Sequence, residues 1–184
     1  MPLRIALMRS VQIAGRRVKM ADVRGLAESI GGTDIRTVVA TGNLVFRSRK
    51  APATLERELE AACEARYGKA TQFVVCTPDR WRTLMAANPF PAETARAPER
   101  TLVWIMKTPV PEAGLHQLRR RARGDERIAR TGGDFYVWFG RGDVFASKLP
   151  AGFGLRALGA TGTNRNWNTM MRIARLVDEM AATP

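Results

Sequence analysis

Ile35-Arg36-Thr37-Val38-Val39-Ala40-Thr41-Gly42-Asn43-Leu44-Val45-Phe46-Arg47 reads as two short β-strands folded back on a turn. Residues 35–40 and 44–47 are rich in β-branched and apolar side chains, which suit a pleated, half-buried surface. Thr41-Gly42-Asn43 between them carries turn residues: Gly takes left-handed backbone at no steric cost, and Asn tolerates it. The flanks make this hairpin decisive. Before it, Met20, Val23, Leu26, Ala27 and Ile30 recur at helical spacing, and Gly31-Gly32 stops that helix. After it, Pro52 opens a second helix with Leu55, Leu59, Ala62, Cys63 and Tyr67 on its apolar side, and Gly68 ends it. Apolar strands at 3–8 and 71–76 close the series. The order is βαββαβ, the ferredoxin-like plait.

The second half repeats this order less plainly. Residues 77–87 read as a linking helix, and 88–98, with three prolines, as a loop. A strand at 101–107, a helix at 112–123 and a hairpin of 126–130 with 134–139 across Gly132-Gly133 follow. Residues 149–158 form a glycine-interrupted helix, 159–162 a short last strand, and 166–181 an added helix. The expected fold class is therefore α+β: two ferredoxin-like (α/β-plait) units in tandem plus an extra C-terminal helix. Residues 1–77 make the first unit, 78–99 the linking helix and Pro-rich loop, and 100–184 the second unit with the C-terminal helix.

Composition bounds the chemistry. At 184 residues and 45% hydrophobic content the chain can bury a substantial core. No apolar run approaches the ~20 residues of a membrane span, so no membrane partner is expected. Arg4 and Arg9 interrupt the apolar residues near the start, which argues against a secretory leader and for a cytoplasmic protein. Cys63 and Cys76 are too few for a disulfide framework or a cysteine-rich zinc site, and both fall in apolar patterns. His116 is the only histidine. Neither a metal nor a cofactor is expected.

The net charge of +13 points to an anionic partner. Arg supplies 25 of the 30 basic residues, a bias that also fits a GC-rich genome. The charge is spread along the chain, and its sharpest cluster is Arg119-Arg120-Arg121 with Arg123. On a helix that cluster splits between faces, as a solvated face does.

Three places could hold a site. In a plait the end of the first strand lies beside the start of the third. That brings Arg9, Ser10, Gln12, Gly15 and Lys19 next to Thr41, Gly42 and Asn43, ahead of a helix N-terminus that suits an anion. Arg16 and Arg17 add charge. The alternative is that Gly42 and Asn43 only make the turn. The second place is Thr161-Gly162-Thr163-Asn164-Arg165-Asn166-Trp167-Asn168-Thr169-Met170, at the start of the last helix. Asn164 or Asn166 can cap that helix, and Asn168 lies on its polar face. Trp167, Met170, Met171, Ala174 and Val177 make its apolar stripe. The planar fork of Arg165 suits a carboxylate or phosphate, with a structural salt bridge the equal alternative. The third is an aromatic set, Trp104, Tyr136 and Trp138: either a platform of the kind on which RNA-recognition plaits stack bases, or a face buried between two plaits or two subunits, which is the favoured reading.

Several of these pieces also resemble one family. Leu7-Met8-Arg9-Ser10-Val11-Gln12-Ile13-Ala14-Gly15 is similar to its Leu-Leu-Arg-Gly-Ile-Asn-Val-Gly-Gly, and 36–46 to its Arg-Thr-x-x-x-Ser-Gly-Asn-Val-Val-Phe. Thr163 to Thr169 is similar to its Thr-x-Arg-Asn-Trp-Asn-Thr, and Lys19-Met20, Leu26, Asn88-Pro89-Phe90 and Ser147-Lys148 fit in register. The family is the bacterial domain-of-unknown-function family 1697. The resemblance implies α/β-plait units and no established activity. Ser10, Gln12 and Ala14 stand where the family has Gly, Asn and Gly.

Three functions fit these features. One is a non-enzymatic binding module for a phosphate-rich ligand or nucleic acid. Another is an enzyme on an acidic or phosphorylated small molecule. The third is a structural or regulatory homo-oligomer.

Overall fold

The computed structural model describes residues 1–122, 124–140, 147 and 159–182. Arg123, Lys148 and the helix expected over 149–158 lie outside the described residues. The chain is mixed α+β, and it divides into two units: Met1–Thr83 with Met171–Pro184, and Leu84–Met170. From Met171 onward the last helix thus groups with the first unit, not with residues 100–184 as its position in the sequence suggested.

The first unit runs β1 (Leu3–Met8), β2 (Gln12–Ile13), β3 (Arg16–Arg17), α1 (Met20–Ser29), β4 (Thr33–Val38), β5 (Asn43–Arg47), α2 (Pro52–Tyr67) and β6 (Phe73–Cys76). Four of its strands form one antiparallel sheet in the order β4-β5-β1-β6. Leu7 lies opposite Asn43 and Ile5 opposite Cys76, so β1 is central. Alternation sends Ala6, Met8, Leu44, Phe46, Phe73 and Val75 into one cluster with Val23 and Leu26 of α1 and Leu55, Leu59 and Cys63 of α2. Each large side chain so buried is worth about 1.5–3 kcal/mol. Ile5, Leu7, Val45, Val74 and Cys76 point the other way and are no more than 2% exposed. Burial on both faces explains why β1 is apolar without alternation from Ile5 to Met8, with Arg4 the one polar residue near its start.

Two details differ from the sequence expectation. The strand expected over 35–40 ends at Val38, because Val39 takes φ +48°. The strand after the turn starts at Asn43, whose backbone already pairs with Leu7 and Val38. The region 10–17, expected as a loop, holds the small hairpin β2–β3, with Gln12 opposite Arg17 and Ile13 opposite Arg16.

In the second unit, α3 (Pro78–Ala86) crosses from the first unit, and α4 (Pro91–Arg96) and a 3₁₀ turn (Pro98–Arg100) occupy the Pro-rich loop. Then come β7 (Thr101–Thr108), α5 (Glu112–Arg121), β8 (Arg127–Thr131), β9 (Asp134–Trp138) and β10 (Thr161–Asn166). Their sheet is antiparallel in the order β10-β7-β9-β8. In each sheet the unit's first strand lies between its third and its last. Leu102, Trp104, Met106, Phe135 and Val137 pack with Leu115 and Leu118 of α5.

The last strand is β10, not residues 159–162, and α6 (Trp167–Ala182) follows it directly. Met170, Ile173, Val177 and Met180 are its buried stripe, whereas Met171 is 41% exposed and Trp167 half-buried. The stripe is thus rotated from the one expected. Arg47 ties this helix to the first sheet, since its guanidinium donates to Met180 O at 2.6 Å, Met1 O at 3.2 Å and Asp34 Oδ2 at 3.4 Å. Among the described residues no helix is long and apolar enough to cross a membrane.

Candidate functional site

The expected convergence at the end of β1 is present. Met8 N donates to Gly42 O at 2.8 Å, so the end of β1 and the turn before β5 touch. Gly42 has φ +75°, and a Cβ there would lie 2.6 Å from Met8 Cβ and 3.3 Å from Val11 Cγ1. Only glycine meets both demands. Asn43 is 0% exposed, and its amide donates to Val38 O and Thr41 Oγ1, both at 2.9 Å. Asn43 therefore holds the turn. It does not face a surface ligand, and that part of the expected site is corrected.

The other half of this site is open. Ser10, Gln12, Ala14, Gly15, Arg16, Arg17 and Lys19 are exposed. Ser10 Oγ accepts from Gln12 N at 3.1 Å, a local turn bond that sets up β2. Arg9 is half-buried; its guanidinium donates to Gln72 Oε1 at 2.6 Å and its backbone N to Gln72 O at 2.9 Å. Lys19 precedes α1, and its carbonyl, not its side chain, accepts from Asp22 and Val23. Arg16, Arg17 and Lys19 make no side-chain hydrogen bond or ion pair within the described residues. Asp22, the one carboxylate between Arg9 and Gly25, is paired with Arg66.

The second place changes character. Thr161 to Asn166 is a strand, so its polar residues alternate across a sheet rather than ringing a helix start. Arg165 lies opposite Val103 and is 7% exposed. It donates to Thr163 Oγ1 at 2.9 Å and Asn164 O at 2.6 Å. Burial pushes its guanidinium down to about 10. A side chain so enclosed fails the exposure that a surface ligand requires. Asn166 Oδ1 accepts from Thr169 N at 2.9 Å and caps α6, while Asn168 is half-buried on that helix.

Of the two readings of the aromatic set, the geometry favours burial over a stacking platform. Trp104 lies opposite Phe135, and their rings stack at 4.9 Å and 13° inside the helix-covered core. Tyr136 lies opposite Val103, on the other face, and is 0% exposed. Its hydroxyl donates to Leu84 O at 2.6 Å, and burial raises its pKa. Trp138 is half-buried. Three aromatics split between two faces, two of them enclosed, cannot stack bases.

Cys63 and Cys76 are buried and are not joined in a disulfide, and burial pushes the Cys63 thiol up, away from a reactive thiolate. Among the described residues no group of three or more His, Cys, Asp or Glu could hold a metal ion. Two carboxylates of α2 serve the sheet edge instead. Glu56 Oε1 accepts from Val75 N at 2.9 Å, and Glu60 Oε1 from Phe73 N at 3.0 Å. Their i, i+4 spacing was visible in the sequence, but not the strand they meet.

Residues 1–136 match the family described as protein of unknown function (DUF1697). The chain belongs to that family. No curated protein matches it. Among solved structures it is similar to a conserved bacterial protein from Streptococcus pneumoniae, at 18% identity and a TM-score of 0.74, over 96% of this chain and 98% of that one. That likeness concerns the fold.

Proposed function

We propose that this protein binds a phosphate-rich partner, nucleic acid above all, without transforming it. The observation that carries this reading is a surplus of exposed, unpaired cations, densest at Arg16, Arg17 and Lys19. Acids elsewhere are already shared: Asp34 meets Arg36 and Arg47, and Glu112 meets Arg119 and Arg130. Cations without partners repel one another, and a polyanion relieves that repulsion by releasing its own counterions. Catalysis at the same place needs an acid or base beside Ser10, and the nearest carboxylate in sequence, Asp22, is held by Arg66. Two further elements belong to this reading. Both units are ferredoxin-like plaits, which the shared strand order supports. The protein works in the cytoplasm, which two cysteines without a disulfide support.

Fluorescence anisotropy with labelled DNA, at low and at near-physiological salt, tests the reading. Binding at low salt that weakens steeply as salt rises is expected. Absence of binding at low salt overturns it.

A further inference from the structure

We infer that the β2–β3 hairpin is an arm that enters the major groove of duplex DNA. The inference rests on the nucleic-acid reading above and gives it a place and a form of partner. The hairpin is mounted rigidly. Ile13 and Val18 are each 3% exposed within the first unit's core, Val11 packs against that core, and Val18 N donates to Val11 O at 2.8 Å. The two-residue tip, Ala14 at φ +48° and Gly15 at φ +76°, has the left-handed backbone that matches the twist of paired strands. A Cβ on Gly15 would meet nothing within 4 Å, so the tip projects into open space.

The side chains it carries suit a duplex. Gln12 and Arg17 are cross-strand partners and share one face. Neither side chain makes a bond within the described residues, so both heads are free. Gln and Arg are the side chains that pair bidentately with adenine and guanine edges. Arg16 and Lys19 flank them as phosphate contacts. A two-stranded ribbon fits the B-form major groove, about 12 Å wide; the A-form major groove is too narrow for side chains to read. A single strand would instead need aromatic rings on which to stack its bases. In the first unit Phe46, Phe73 and Trp81 are at most 1% exposed, and Tyr67 is half-buried on α2.

The test uses the full chain and labelled DNA two helical turns long, as duplex, as one of its strands alone, and as the same duplex in RNA. Two triple variants remove equal charge: Arg16→Ala with Arg17→Ala and Lys19→Ala, and Arg119→Ala with Arg120→Ala and Arg121→Ala. All six residues are exposed, and circular dichroism checks that both variants fold. Wild type is expected to bind the DNA duplex more tightly than the strand or the RNA. The hairpin variant should lower the slope of log K against log salt by about 2–3, at about 0.9 per lost phosphate contact. The α5 variant should leave it nearly unchanged. Equal losses in both variants, or a single strand bound as tightly as the duplex, overturn the arm while the nucleic-acid reading stands. No binding by wild type at low salt overturns both.

Discussion

Gly42 and Gly15 have almost the same backbone, at φ +75° and φ +76°, yet their surroundings differ completely. Alanine at either position adopts a left-handed conformation at a cost of about 1–2 kcal/mol. At Gly42 the new methyl also meets Met8 Cβ at 2.6 Å, and overpacking of that kind adds about 1–3 kcal/mol. Urea unfolding should therefore show Gly42→Ala costing about 2–5 kcal/mol and Gly15→Ala about 1–2 kcal/mol. Equal losses would mean that conformation alone, not the contact with β1, demands Gly42. The turn itself was legible because glycine and asparagine announce it. That Asn43 is wholly enclosed was not, since a turn asparagine looks the same in sequence whether its amide meets water or Val38 O. Arg165 hid its role likewise. A charged side chain predicts a surface, and only the register opposite Val103 reveals burial.

Among the elements, β6 shows how an edge is finished. It is the last strand of its sheet, and its outward N–H groups at Phe73 and Val75 end on Glu60 and Glu56 of α2. An open edge invites pairing with another chain, and these carboxylates close part of it. Glu56→Ala strands the buried Val75 N–H and should cost about 1–3 kcal/mol in urea unfolding. Glu56→Gln keeps an acceptor and should cost less than half as much; parity between the two variants would show that the charge, not the bond, matters. Periodicity found α1, α2 and the paired strands, because apolar spacing there follows the local period. It failed at β10, which is polar, carries a glycine and runs straight into a helix. The polar residues 163–166 read as capping apparatus for the helix, so the strand was expected to end at residue 162. It failed also at β2–β3, where two paired positions are too few for any period to register.

For the molecule as a whole, a charge of +13 is a standing load. Raising salt from about 0.01 M to 0.15 M shortens the screening length from about 30 Å to about 8 Å. Tm should rise accordingly, by about 2–4 °C for each ~1 kcal/mol of repulsion relieved in a chain of this size. A Tm that falls over this range would mean that the ion pairs outweigh the surplus cations. The mixed α+β organisation with antiparallel sheets was legible in the alternation of strand and helix patterns along the chain. The path of the last helix was not, because sequence position alone placed it with its neighbours. That path has a consequence in time. A ribosome delivers residues 1–83 first, then all of the second unit, and only then the turns of α6 whose Met180 carbonyl is bound by the guanidinium of Arg47. The first unit to emerge is the last to be completed, and the nascent chain must carry it unfinished while the second unit is made.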